Sequence, residues 1–234
     1  MTVAIARPRS AGSTDAGGGG EAVRMRGVVC LLGRFAALAG ADLTVRRGET
    51  VLVTGANGAG KTTLLRVLAG LTPVADGSLI VLGEDLRRDP RAVRRRVTLL
   101  GQDSGCYEDL SVRTNLRFFA QLDGRHRSDV EDVLDQVGLL EVADRAHRLL
   151  STGQRRRCAL AVAMLRPPEL LLLDEAHASL DAVGRVGVDA LVRQAAAAGS
   201  GVVIVSHEVE RVRPLVDREV VVENGTIREL SDTR

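Results

Sequence analysis

The sequence predicts an α/β fold, with a mostly parallel core sheet flanked by helices, from three observations. A short β-rich run, Val51-Leu52-Val53, leads into the glycine-rich loop Gly55-Ala56-Asn57-Gly58-Ala59-Gly60-Lys61-Thr62. Four consecutive leucines, residues 170–173, end on two carboxylates, Asp174 and Glu175. A third apolar run, residues 202–205, is followed closely by His207. Short uniformly apolar runs mark strands buried on both faces, and open α/β sheets place their ligands at the C-terminal edge of such strands.

The helix after the loop is read from Leu64, Val67, Leu68 and Leu71 at i, i+3, i+4 and i+7, with Gly70 near its end. Strand, loop and helix then stand in the order that phosphate binding requires. Backbone amides and the helix N-terminus point at phosphates, Lys61 neutralises them, and the Thr62 hydroxyl can ligate magnesium. Among 32 lysines and arginines, Lys61 is the single lysine. A loop wrapped tightly around phosphates needs a compact ammonium on a flexible stem rather than a planar fork. The residues expected to bind a nucleoside triphosphate here are Gly55, Asn57, Gly58, Ala59, Gly60, Lys61, Thr62 and Thr63. Asp174 is expected to hold magnesium through water, and Glu175 to polarise the attacking water.

At 234 residues the chain is long enough for one large core. With 32 basic against 30 acidic side chains, no net field recruits nucleic acid or anionic lipid. Cys30, Cys106 and Cys158 are odd in number and far apart, without a Cys-x-x-Cys spacing, and read as reduced packing residues of a cytosolic protein. No apolar stretch approaches the roughly 18 residues of a membrane span, and no signal-peptide run opens the chain. Residues 1–21, rich in glycine toward their end, are expected to be a disordered tail. Arg87, Arg88, Arg91, Arg94, Arg95 and Arg96 are interleaved with Glu84, Asp85 and Asp89, and read as a solvated helix face rather than a nucleic-acid patch. Residues 220–227 carry an Asn224-Gly225 hairpin signal.

Leu150-Ser151-Thr152-Gly153-Gln154, a short helix's length before the leucine strand, resembles the signature motif of the ATP-binding subunits of ABC transporters. The resemblance spans roughly residues 22–230 and implies a P-loop NTPase fold of ABC type. It adds an N-terminal antiparallel β subdomain and a helical subdomain at about residues 103–160. It further implies that Ser151, Thr152, Gly153 and Gln154 face the γ-phosphate held by a second subunit. Gln102 resembles the glutamine that meets ATP and magnesium, Ser179-Leu180-Asp181 the loop that crosses the dimer interface, and His207 the histidine that contacts the γ-phosphate. His126, His147 and His177 read instead as satisfied surface or core residues.

The chain departs from the family pattern at three places. Thr152 replaces the first signature glycine, so that position is not expected at positive φ. Ala176 stands where a proline usually follows the catalytic glutamate. Leu32 occupies the place of the adenine-stacking aromatic, with Phe35 three residues on, and the sequence leaves both open.

The segment from Asp109 through Asn115-Leu116-Arg117-Phe118 to Ala120 looks like the haem-exporter ATPases of cytochrome c maturation, although drug and lipid exporters share much of it. Phe118, Phe119 and Leu122 read as the small core of the helical subdomain or as docking residues. The implied function is ATP hydrolysis, with Glu175 and His207 catalytic, in a head-to-tail dimer of nucleotide-binding subunits. It would act on an integral membrane subunit from the cytoplasmic face. The alternative is a non-transport ABC ATPase acting on ribosomes or DNA. A small-molecule kinase would leave residues 151–154 and His207 unexplained.

Overall fold

The structure, a computed structural model, describes residues 20–101, 105–122, 127–178 and 180–230. The expected tail lies outside the described residues, apart from Gly20 and Glu21, and β1 already begins at Glu21.

Among the described residues the chain forms two sheets. Strands β1 (Glu21–Leu32) and β2 (Phe35–Arg46) make a long antiparallel hairpin. With β4 (Asp76–Val81) and β5 (Glu84–Asp85) they form an antiparallel sheet in the order β2-β1-β4-β5. The core sheet holds β3 (Thr50–Thr54), β6 (Val97–Leu100), β7 (Leu170–Asp174), β8 (Gly201–Val205), β9 (Arg218–Glu223) and β10 (Thr226–Glu229). Its order is β10-β9-β3-β8-β7-β6, and every pair except the β9–β10 hairpin is parallel. The predicted mostly parallel sheet and N-terminal antiparallel sheet are both present.

The leucine run shows why a parallel strand reads as continuously apolar. Leu171 and Leu173 belong to the core on one face of the sheet, while Leu170 and Leu172 belong to the core on the other, and all four are fully buried. Each such side chain contributes about 2 kcal/mol of burial free energy. Helix α1 (Lys61–Leu68) packs in the core shared with the antiparallel sheet. The opposite face is covered by α2 (Val112–Leu122), α4 (Thr152–Leu165) and α5 (Ala182–Ala197), with α3 (Arg127–Gln136) and the short α6 (Val209–Val212) beside them. Arg113 on α2 pairs with Asp144 and Glu131, and its hydrogen bonds hold both carboxyls below the usual carboxylate range.

Gly70 ends α1 as expected, with φ of 65°, and a Cβ there would stand 1.9 Å from the Pro90 carbonyl oxygen. Leu71 departs from the periodic reading: it lies past the helix end and is 49% exposed. The arginine-rich segment is likewise not a helix. It runs as successive turns, because Asp85 and Asp89 accept the backbone N–H groups of Arg87 and Arg91, the local alternative to a helical ladder that aspartate offers. Its arginines are partly spent on structure, with Arg94 donating to the Gly70 carbonyl and Arg96 paired with Glu169 and Glu84. The Asn224-Gly225 turn forms as read, with both residues at positive φ.

Candidate active site

Parallel pairing brings three strand ends to one edge. Val53 lies opposite Val205, and Asp174 lies opposite Val205 on the other side, so the chain leaves β3, β7 and β8 at the same level. The loop after β3 is built by glycine. Gly55, Gly58 and Gly60 have φ of 136°, 80° and 111°, values that side-chain-bearing residues rarely adopt. Two of them also touch backbone: a Cβ on Gly55 would stand 2.3 Å from the Val222 oxygen, and one on Gly60 would stand 2.4 Å from the Ala37 oxygen. Glycine is therefore required for space as well as for conformation.

Lys61 opens α1 and is only 8% exposed. Its Nζ donates to the carbonyls of Gly55 at 2.7 Å and Ala56 at 3.0 Å, which holds the ammonium against the loop. Asn57, Gly58, Gly60, Lys61, Thr62 and Thr63 line a cavity of about 330 Å³, and Asp174, Glu175 and His207 line the same cavity from the β7 and β8 edge. Ala59 lines a neighbouring cavity of about 520 Å³ behind the loop. Leu32 borders the first cavity, whereas Phe35 borders neither and is 82% exposed. Of the two residues left open for the base, Leu32 is the one against the site.

Glu175 has φ of 52°, an uncommon conformation for a glutamate. Three hydrogen bonds to its backbone hold it. Its N–H donates to the Val205 oxygen at 3.0 Å, and its own carbonyl accepts from Ala178 at 3.0 Å and from the Arg156 guanidinium at 3.2 Å. The His207 N–H donates to its carboxylate at 3.3 Å, and the His207 Nε2 lies 3.5 Å from the other oxygen. The carboxylate that lines the cavity is thus held from the β8 side by His207.

Arg156 was not a sequence candidate. It projects from α4, and it also donates to the Ala178 carbonyl, clamping both ends of the turn that follows Asp174. His177 is buried, and its Nε2 donates to Asp189 Oδ1 at 2.8 Å, while Arg211 donates to Asp189 Oδ2 at 3.2 Å. The core reading of His177 holds. Its link to α5 and α6 has no short-range sequence signal, since the partners stand 12 and 22 residues apart in the pairs they form.

Ser151 is the N-cap of α4. Its hydroxyl accepts from the Gln154 N–H at 3.2 Å while the Gln154 side chain accepts from the Ser151 N–H at 3.0 Å, a reciprocal capping box. Thr152 has no positive φ, as its side chain requires. None of residues 151–154 lines the cavity around Lys61. Asp181 caps α5 by accepting from the Gly184 N–H at 3.0 Å. Gln102, Ser179 and His126 lie outside the described residues.

The ABC transporter family profile matches residues 38–178, which include the loop, the capped α4 and the Asp174–Glu175 edge. The chain belongs to the ABC transporter family. It is 40% identical over 183 residues to the cytochrome c biogenesis ATP-binding export protein of Xanthomonas campestris pv. campestris, covering 78% of this chain and 85% of that one. It is 39% identical over 195 residues to a daunorubicin resistance ATP-binding protein of Streptomyces coeruleorubidus, covering 82% and 62%. A Nod factor export ATP-binding protein of Azorhizobium caulinodans is 33% identical over 197 residues, with 61% of its length covered. The chain therefore spans about three fifths of the last two relatives. Its fold is that of solved ABC domains. An ATP-binding subunit of an ABC transporter superposes with a TM-score of 0.80 at 23% identity, covering 89% of this chain and 90% of that one. A dimeric ATP-binding cassette in a post-hydrolysis state with ADP and Pi gives 0.79 at 22%, covering 90% and 99%.

Proposed function

We propose that this chain is the ATP-binding subunit of an ABC transporter, hydrolysing ATP in a head-to-tail pair of nucleotide-binding subunits to drive transport through a separate integral membrane subunit. The observation that carries the proposal is the split of the site. Lys61, Thr62, Asp174, Glu175 and His207 line one cavity, while the capped N-terminus of α4 does not reach it. A triphosphate seated on the loop therefore lacks the amides of Thr152 and Gly153 unless a second copy supplies them.

In this reading the loop amides and Lys61 hold the phosphates. Thr62 and Asp174 offer only oxygen donors at the cavity wall, a set suited to a hard dication such as magnesium, which would supply charge neutralisation at the phosphates. Glu175 takes the proton of the attacking water, and His207 orients the Glu175 carboxylate and reaches the γ-phosphate. Closure of the pair around two nucleotides and reopening after hydrolysis is the mechanical step.

The partner-facing reading of α2 gains support from its surface. Val112, Leu116 and Ala120 are its buried face, but Phe118 and Leu122 are 38% and 62% exposed, so most of the expected small core is elsewhere. Tyr107 and Phe118 meet edge to face with ring centroids 5.4 Å apart, leaving an aromatic patch at the surface. Such a patch fits a membrane subunit of the transporter at the cytoplasmic face of the membrane. Among the described residues no helix is long and apolar enough to cross a membrane. Export of haem or of a drug or lipid is the favoured cargo reading, because relatives named for cytochrome c biogenesis export and Nod factor export match the chain. An aliphatic sulfonates import protein of Frankia alni also matches along 82% of its own length, so the direction of transport rests on the captured partner.

The test is affinity capture from solubilised native membranes with Glu175→Gln held in Mg-ATP. Recovery of a polytopic membrane protein supports the proposal and its identity narrows the cargo. Recovery of ribosomal or DNA-associated proteins alone contradicts it.

A further inference from the structure

We infer that Cys106, His147 and Cys158 form a binding site for a thiophilic transition-metal ion of the zinc class, within the helical subdomain and separate from the phosphate site. The three residues come from different elements. Cys106 lies between β6 and α2, His147 starts the short 3-10 turn His147–Leu149 that leads into Ser151, and Cys158 lies on α4. Cys106 and Cys158 are 52 residues apart in sequence, yet their Sγ atoms stand 3.6 Å apart. One ligand atom from each of the three residues lies within 4.8 Å of the other two.

That sulfur separation matches a metal edge. With Zn–S bonds of about 2.3 Å and tetrahedral angles, two thiolates sit about 3.7 Å apart. A disulfide would require the sulfurs to approach to about 2.05 Å and would leave the imidazole beside them without a part in the chemistry. The charge also balances: two thiolates and a neutral imidazole around a dication sum to zero, so the loaded site can be buried without an uncompensated charge. On binding, the two thiol protons leave to solvent.

The backbone around the cluster is set before any ion arrives. The His147 N–H donates to the Leu110 carbonyl at 2.9 Å, and Ser111 bridges to Ala146. Cys158 and His147 are 0% and 4% exposed, while Cys106 is half-buried and leaves one approach for an ion and a fourth ligand. The soft sulfur and imidazole donors exclude magnesium, whose oxygen donors lie at the phosphate cavity. An ion here ties the segment preceding α2 to the signature helix, so metal loading stiffens the unit that carries Ser151.

The experiment uses the purified full chain, stripped with chelator and titrated with cobalt(II), then zinc(II). The expected result is one cobalt per chain with a thiolate-to-cobalt charge-transfer band, displaced by an equimolar amount of zinc. Cys106→Ser, His147→Gln and Cys158→Ala should each weaken binding at least about tenfold, and Cys30→Ser should leave it unchanged. Because Cys158→Ala opens a gap in the core, a second readout uses the unaltered chain: zinc should protect Cys106 and Cys158 from alkylation, mapped by peptide mass. Absence of the band, a band of undiminished intensity and affinity in Cys106→Ser, or loss of two thiols and two hydrogens of mass without bound metal would each overturn the inference. The readouts do not depend on ATP turnover, so they stand apart from the proposed transport function.

Discussion

Arg156→Met separates positioning of Glu175 from folding of α4. Methionine keeps the apolar stem of the side chain and removes the guanidinium that donates to the carbonyls of Glu175 and Ala178. A hydrogen bond from a charged donor contributes about 1.5–3 kcal/mol, and at half-buried carbonyls water replaces part of it, so about 2 kcal/mol in total is released. Glu175 holds φ of 52°, which costs about 1–2 kcal/mol by itself, comparable to what the clamp supplies. The freed backbone relaxes and swings the carboxylate away from the cavity. If that 2 kcal/mol appears in the transition state, kcat falls about 30-fold. Arg156 bonds the carbonyls of Glu175 and Ala178 while Lys61 bonds those of Gly55 and Ala56, so ATP affinity should stay within about twofold of the unaltered chain by nucleotide titration. Steady-state phosphate release and a thermal melt on the same samples decide the matter. An unchanged kcat with a lowered melting temperature would assign Arg156 to α4 stability alone and refute the positioning argument.

Glu175→Gln should lower turnover by about 10²-fold or more while preserving ATP binding, measured by phosphate release and nucleotide titration; turnover at the unaltered rate would remove Glu175 from the mechanism. Gly55→Ala places a Cβ 2.3 Å from the Val222 oxygen at φ of 136° and should destabilise the chain by about 2–4 kcal/mol in urea unfolding, with the loop failing to bind nucleotide. Glu169 is held below the usual carboxylate range chiefly by its hydrogen bond from Arg96. Its stabilising contribution is therefore present above the unfolded value of about 4.3 and is lost as pH falls through the lower folded value. Glu169→Gln should flatten the acid limb of a melting-temperature profile below about pH 4.5, by a small amount because the side chain is 39% exposed.

Much of the site was legible because its signals are local. The loop, the leucine strand with its two acids, and the Asn224-Gly225 turn each depend on neighbours within a few residues, and each forms as read. The family resemblance supplied the order of the remaining landmarks. Most of what escaped depends on pairs distant in the chain. Arg156 meets residues 19 and 22 positions away, and its neighbours Arg155 and Arg157 bond the carbonyls of Arg148 and of Val137 and Gly138, so three adjacent arginines serve three different places. Cys106 and Cys158 looked unrelated because they stand 52 residues apart, whereas the fold brings their sulfurs to 3.6 Å; Cys30 lies in the other core. The turns at residues 86–96 were misread because charge periodicity resembles a helix face until aspartate side chains claim the backbone N–H groups.

The split site makes a direct test possible by mixing two inactive variants. Lys61→Ala disables the phosphate loop, and Ser151→Phe blocks the capped end of α4 that does not reach the loop of its own chain. In a head-to-tail pair of one of each, one composite site carries both lesions and the other carries none. An equal mixture should regain about a quarter of the ATPase rate of the unaltered chain, since about half the pairs are mixed and each has one of two sites intact. Recovery near that level is the result this account predicts. A mixture as inactive as its parts, with mixed pairs confirmed by mass, would mean that each chain completes its own site and would contradict the account.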